Sequence, residues 1–142
     1  ATKFTERSGH FSPDGKWVTY DSNATGRDEI YITSFPPSRE VVQVSSAGGT
    51  WPIWSADGRE IYYLSGSDEV MAVPVRFENG VPAPGVPTRV FQARIGGARV
   101  VRNFYDYSPQ TRQFLIVAPA ENQTADDTPI KIVVNWRPAP GR

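Results

Sequence analysis

Apolar and polar positions in this chain fall into short runs, separated by clusters of Gly, Pro, Ser, Asp and Asn. No stretch carries apolar residues at a 3.6-residue period between caps, so no helix is predicted. Two runs, Ile61-Tyr62-Tyr63-Leu64 and Phe114-Leu115-Ile116-Val117, are apolar without alternation. A strand of that kind buries both faces, as when its sheet is sandwiched between two others. The pattern therefore predicts short antiparallel strands in stacked sheets.

One pattern recurs. Phe11-Ser12-Pro13-Asp14-Gly15 leads through Lys16 into Trp17-Val18-Thr19-Tyr20, and Trp54-Ser55-Ala56-Asp57-Gly58 leads through Arg59 into Glu60-Ile61-Tyr62-Tyr63. A worn third copy, Tyr107-Ser108-Pro109-Gln110-Thr111, leads through Arg112 into Gln113-Phe114-Leu115-Ile116. Each reads as a strand, a tight reversal and a second strand. Pro13 presets φ at the first central position of a type I turn, Asp14 suits the second, and Gly15 accepts the left-handed φ that follows. That combination closes a hairpin with a bulge. Gly15 and Gly58 are expected at φ > 0, whereas the β-branched Thr111 resists it, so the third turn is expected to be built differently. The copies are spaced by about 43 and then about 53 residues, near the period of propeller blades.

The expected fold is all-β, with about three four-stranded antiparallel blades forming half of a six-bladed β-propeller. Residues 1–8 are expected to be the outer strand of a preceding blade, with Lys3 to Thr5 as the strand itself. The first blade takes 9–47, with strands His10–Ser12, Trp17–Asp21, Glu29–Phe35 and Val41–Ser45. The second takes 48–97, with strands Trp51–Ser55, Glu60–Ser65, Val70–Phe77 and Thr88–Ala93. The third takes 98–137, with strands Arg102–Tyr107, Gln113–Ala118 and Ile130–Trp136, and lacks its outer strand. Glu78 to Pro87 holds two Gly and three Pro and is expected to be a long surface loop, with Pro74 at a bulge or an unpaired position.

The repeats resemble the TolB-like propeller repeat, a WD40-like unit whose core reads aromatic-Ser-Pro-Asp-Gly before a strand. Phe11 to Gly15 matches that core in full, Trp54 to Gly58 departs at Ala56, and the third copy has Gln110-Thr111 in place of Asp-Gly. The ending Ile132-Val133-Val134-Asn135-Trp136 is similar to the closing strand of such propellers in bacterial proteins. The resemblance covers nearly the whole chain. It is specific for fold and says little of function, because propellers host unrelated activities. It implies a periplasmic or other extracytoplasmic location, and that the chain is the C-terminal part of a longer bacterial propeller protein.

Composition narrows the partners. The length of 142 residues suits one domain. Fifteen basic and fifteen acidic side chains cancel, leaving no electrostatic reason to expect nucleic acid or an anionic membrane. Cysteine is absent, which removes disulfides and thiolate metal sites. No apolar run reaches the roughly eighteen residues of a membrane span. The chain begins at Ala1 without Met or a signal-like segment, and an excised piece of a longer protein is the expectation.

Candidate chemistry is sparse. His10, the one histidine, lies near Ser12 and Asp14, but those two belong to the turn motif, and no Gly-x-Ser-x-Gly elbow occurs. The stretch from Asp21 to Asp28 faintly resembles a calcium loop but lacks the glutamate at its twelfth position, so a solvated hairpin tip is the better reading. Asn23-Ala24-Thr25 and Asn122-Gln123-Thr124 fit the glycosylation pattern, as chance matches. Gly96-Gly97 is followed by no Lys-Ser/Thr and no helix, so it is no phosphate loop. No metal and no cofactor is expected.

The binding-site expectation rests on Trp51. It follows Gly48-Gly49-Thr50, where the chain passes from an outer to an inner strand and reaches the central channel. His10 is taken as its equivalent in the first blade and Arg102-Asn103-Phe104 in the third. With Arg99, the residues His10, Trp51, Arg102 and Phe104 would ring one mouth of the channel, in keeping with the enrichment of aromatic and Arg side chains at interface hot spots. The same residues would equally serve to pack blade on blade. Two functions follow: a non-catalytic interaction or sensor module binding a protein, peptide or small ligand at the channel mouth, or the propeller of a hydrolase or peptidase whose catalytic part lies elsewhere. A homodimer is also expected, two half-rings closing six blades, with Lys3 to Thr5 of each copy pairing with Ile130 to Trp136 of the other.

Overall fold

A computed structural model describes residues 4–38, 40–93 and 105–116. Its first sheet has four antiparallel strands in chain order: β1 (Glu6–Phe11), β2 (Trp17–Ser22), β3 (Glu29–Ser34) and β4 (Val41–Gln43). The second repeats the plan with β5 (Thr50–Trp54), β6 (Glu60–Leu64), β7 (Glu69–Glu78) and β9 (Thr88–Gln92), and inserts β8 (Val81–Pro84) beside the far half of β7. The third repeat contributes the hairpin β10 (Tyr105–Ser108) and β11 (Gln113–Ile116). These are propeller blades, stacked face to face.

The recurring motif does what its residues dictate. Gly15 and Gly58 hold φ of 70° and 68°. The Ser12 hydroxyl donates to Asp14 Oδ1 at 2.6 Å and accepts the Trp17 N–H at 3.0 Å, while Asp14 also accepts the Lys16 N–H at 3.1 Å. Ser55, Asp57, Arg59 and Glu60 repeat this network at 2.7, 3.1 and 2.9 Å. The hydrogen bond from each serine holds the Asp14 and Asp57 carboxyls below the usual range. In the third turn the left-handed residue is Arg112, φ 56°, one position later than the glycines, and its N–H reaches back to the Ser108 carbonyl at 2.8 Å. Thr111 avoids positive φ, as its branched Cβ requires.

The run Ile61-Tyr62-Tyr63-Leu64 is buried on both faces. Ile61 and Tyr63 pack with Val73 and Val75 of their own sheet against Ile30, Ile32 and Val44 of the first blade. Tyr62 and Leu64 face the other way, onto Tyr105, Tyr107, Phe114 and Ile116 of the third repeat. Ring contacts dominate this second seam: Tyr62 lies 5.0 Å from both Tyr107 and Phe114, and Phe91 lies 5.4 Å from Phe114. Among the described residues the core is thus two apolar seams between blades, one on each side of the second sheet. On β11 only Phe114 and Ile116 are buried; Leu115 points away and is exposed.

Three expectations change. Residues 6–8 belong to the first blade, since Glu6 pairs with Ser22 and Arg7 with Asp21. Thr5 joins the same sheet: its N–H donates to Asn23 Oδ1 at 2.9 Å, and its carbonyl accepts the Asn23 N–H at 3.4 Å. The inner strand therefore begins well before His10 and runs through a bulge. Glu78 to Pro87 is a hairpin, not a loop. Asn79 and Gly80 hold φ of 53° and 82°, the two left-handed residues that a type I′ turn needs. Pro74 lies where β7 passes from β9 to β8; its carbonyl accepts the Gly85 N–H at 2.7 Å, and its missing N–H costs no ladder bond. Lys3, the expected strand Ile130–Trp136 and most of residues 98–137 lie outside the described residues.

Candidate functional site

The inner strands β1 and β5 lie side by side, and both are bulged. β1 shifts register between Arg7 and His10, and β5 between Thr50 and Ile53. Each bulge contains a residue that is not glycine yet has positive φ, Ser8 at 55° and Trp51 at 50°. Such conformations cost energy and persist only where their surroundings fix them.

The surroundings of Trp51 are specific. Its N–H points to Asp21 Oδ1 of the first blade at 3.4 Å. Its carbonyl accepts the Tyr105 hydroxyl from the third. Tyr105 is buried, and burial pushes its hydroxyl well above its ordinary pKa. The bulge is therefore held from both neighbouring blades, while the Trp51 side chain, half-buried, packs against the second seam.

Charge gathers around the same point. The Asp21 side chain is 2% exposed, and a carboxylate so buried needs compensation. Arg7 supplies it with Nε at 3.2 Å and reaches Asp28 with Nη2 at 2.7 Å. The hydrogen bond to Asp28 raises the Arg7 pKa further, so its charge is permanent. Asp21 and Asp28, the ends of the stretch resembling a calcium loop, are drawn onto one guanidinium. Between them Gly26 N–H closes a turn on the Asn23 carbonyl at 2.9 Å. Next to this, the buried Glu29 carboxylate accepts from Ser45 Oγ, from Gly48 N–H at 3.1 Å and from Arg27 Nε. That knot ties the crossover between the blades to β3 and sets the entry of β5.

Of the expected ring of site residues, His10 and Trp51 lie among the described residues. Counted from the turn, His10 is the equivalent of Ile53, since they pair with Thr19 and Tyr62 in matching registers. Ser8 is the equivalent of Trp51. Taking His10 as Trp51's counterpart is therefore off by two residues; Gly9 and Pro52, residue types that strands place at bulges, are the local signal that reading passed over. His10 is exposed, and its Nδ1 lies 3.2 Å from the Phe11 carbonyl. Arg99, Arg102 and Phe104 lie outside the described residues. The residues that sequence reasoning missed are Arg7, Asp21 and Asp28, which gain meaning only when β1 and β2 are paired.

At the opposite end of the blades a groove of about 800 Å³ opens between the second turn and β7, flanked by Arg59, Arg76 and Phe77. Among the described residues no group of three or more His, Cys, Asp or Glu side chains could hold a metal ion.

No family model and no curated relative matches the sequence. Among solved structures the chain is similar to the putative TolB from Agrobacterium tumefaciens, at 22% identity and a TM-score of 0.60, over 79% of this chain and 38% of that one. It is also similar to an oligogalacturonate lyase from Vibrio parahaemolyticus, at 18% identity and a TM-score of 0.45, over 59% of this chain and 24% of that one. The chain thus spans less than half the length of either. The first likeness agrees with the repeats on a TolB-like β-propeller fold.

Proposed function

We propose that this chain is a non-catalytic propeller module that binds a protein, peptide or small ligand on the inner wall around Trp51. The observation that carries the reading is the bulge held from both sides. Its backbone is fixed by the architecture, because Ser8 and Trp51 share it. The side chain placed there differs between the two described bulges: Ser8 in the first blade, Trp51 in the second. A rigid frame presenting an interchangeable side chain is what recognition requires, since preorganised aromatic anchors lose little freedom on binding.

Several features support a binding role over hydrolysis. The Ser12 and Ser55 hydroxyls are committed to Asp14 and Asp57 inside the turns, so neither is a nucleophile held by His10. The charged groups beside Trp51 are arranged as ion pairs. An extracytoplasmic location belongs to the same reading and rests on the family resemblance.

The test is selection of a displayed peptide library on the immobilised chain. Binders should lose at least about tenfold in affinity, or about 1.4 kcal/mol, on Trp51→Ala. They should be unaffected by Val86→Ala on the exposed hairpin, with unchanged circular dichroism for both. Binders indifferent to Trp51→Ala would refute the site. Ester or peptide turnover abolished by His10→Ala would refute the non-catalytic reading.

A further inference from the structure

Strand β7 outruns its partner β6. Their pairing begins at Glu60 opposite Pro74, and just beyond it the Val75 N–H donates to the Arg59 carbonyl at 2.7 Å. β7 continues to Glu78, paired over this stretch with β8. Prolines fix the phase of that pairing. Val75 lies opposite Pro84 and Phe77 opposite Pro82. A proline has no N–H to give, so these are the non-hydrogen-bonded positions of the ladder. The Val75 N–H, directed at Arg59, agrees with this phase. The backbone N–H and C=O of Phe77 point the same way, past the end of β6 and into the groove of about 800 Å³ beside the second turn.

The first blade has no such edge. There the Phe35 N–H donates to the Lys16 carbonyl at 2.7 Å, the counterpart of the Val75 bond. β3 has already ended at Ser34, and Pro36-Pro37 stand where the second blade has Arg76 and Phe77.

The charges of the groove are unequally engaged. Among the described residues Arg7, Arg27 and Arg89 are ion-paired, whereas the exposed Arg59 and Arg76 form no ion pair. The carboxylates beside them already have donors. Asp57 accepts the Ser55 hydroxyl at 2.7 Å and the Arg59 N–H at 3.1 Å, and Glu60 accepts the Tyr62 hydroxyl at 2.8 Å. The Arg59 charge helps to keep Asp57 ionised from beyond bonding distance. The four formal charges cancel, so the groove offers two directed guanidinium forks, which match carboxylates, rather than a long-range field. Phe77, 45% exposed, adds an apolar surface next to Trp17, 5.7 Å away.

We infer that this groove takes an extended acidic segment of a partner protein. The segment pairs its backbone with Phe77 and seats Asp or Glu side chains on Arg59 and Arg76. A bare carboxylate would engage the guanidinium groups but leave the Phe77 N–H and C=O unmatched; a strand added at the edge engages both. The site lies at the far end of the blade from Trp51 and does not depend on it.

Selection of short displayed random peptides on the Trp51→Ala chain tests this separately from the inner-wall site. Selected peptides should be rich in Asp and Glu, and should bind the wild-type chain equally well. Made synthetically, they should lose at least about fivefold in affinity on Arg59→Gln or Arg76→Gln, with unchanged circular dichroism. Methylating one central backbone nitrogen of the peptide should weaken binding by a similar factor, and glutarate should compete poorly. No selected binder, binders without acidic enrichment, or binders indifferent to both arginine variants would overturn the inference. So would glutarate binding as tightly as the peptides, or affinity that survives N-methylation at every position.

Discussion

Replacing Gly49 with Ala should be among the most damaging single-methyl changes in this protein. Gly49 lies on the crossover into β5, two residues before Trp51, and its N–H donates to the Asp28 carbonyl at 2.9 Å. A Cβ added there would lie 2.7 Å from Ile30 Cγ1, 2.9 Å from Tyr63 Cδ2 and 3.0 Å from Ser45 Oγ. None of the three can retreat easily. Ile30 is fully buried, Tyr63 is wedged in the first seam, and Ser45 Oγ is bonded to both Glu29 and the Ile30 N–H. Overpacking a closed site costs about 1–3 kcal/mol, and three blocked directions place this one near 3 kcal/mol. With an unfolding entropy of roughly 0.3 kcal/mol/K for a chain of this size, Tm should fall by about 10 °C. Urea unfolding followed by tryptophan fluorescence is the assay. Because the penalty is steric, Ile30→Ala, which costs about 2–5 kcal/mol alone, should partly relieve it. The double variant should be more stable than the sum of the singles by at least about 1 kcal/mol. Strict additivity, or a Gly49→Ala protein within about 0.5 kcal/mol of wild type, would refute the steric argument.

Gly15→Ala meets no atom within 4 Å, so its cost is conformational alone: about 1–2 kcal/mol for an L-residue held at φ 70°, read from the same urea curves. Ser55→Ala should cost about 1–2 kcal/mol through the lost bonds to Asp57 and the Glu60 N–H. It should also flatten the acid limb of the stability curve. A carboxyl with a depressed folded pKa stabilises above its unfolded value near 4 and loses that contribution as pH falls through the folded value, and the Asp57 carboxyl is depressed chiefly by Ser55. At alkaline pH the sign reverses. Burial raises the Tyr62 and Tyr105 hydroxyls, so their contribution is complete below pH of about 10 and is lost as pH climbs through the folded values. Absorbance at alkaline pH should show these two tyrosines ionising only with unfolding, and Tyr105→Phe should remove one such step.

Much of the fold was legible because its signals are local. Asp14-Gly15 and Asp57-Gly58 name their turn type, and Ile61 to Leu64 declares two buried faces. Asn79-Gly80 carried an equally plain type I′ signal, but the prolines at 82, 84 and 87 made the segment read as loop; two of them lie in β8 itself, which needs few donors as an edge strand. The candidate site was less legible. A bulge adds residues to one strand, so counting along the chain set His10 level with Trp51 when Ser8 was the match, and the single Gly9 and Pro52 beside the bulges signal them only weakly. The Arg7–Asp21–Asp28 cluster spans β1, β2 and the tip beyond. Only pairing the strands reveals that the guanidinium neutralises both carboxylates.

The two seams that flank β6 also govern how this molecule comes apart. Side chains on a single strand answer to different neighbours, Ile61 and Tyr63 to one, Tyr62 and Leu64 to the other. Loosening one seam leaves the other intact, as in nearest-neighbour coupling along a repeat array. Under mechanical load or in hydrogen exchange the outlying sheets should release first and separately, and the central strand last. Its resistance to solvent therefore depends on whether both flanking repeats are still in place, so the same amide will report a different protection in every truncated or extended version of the array.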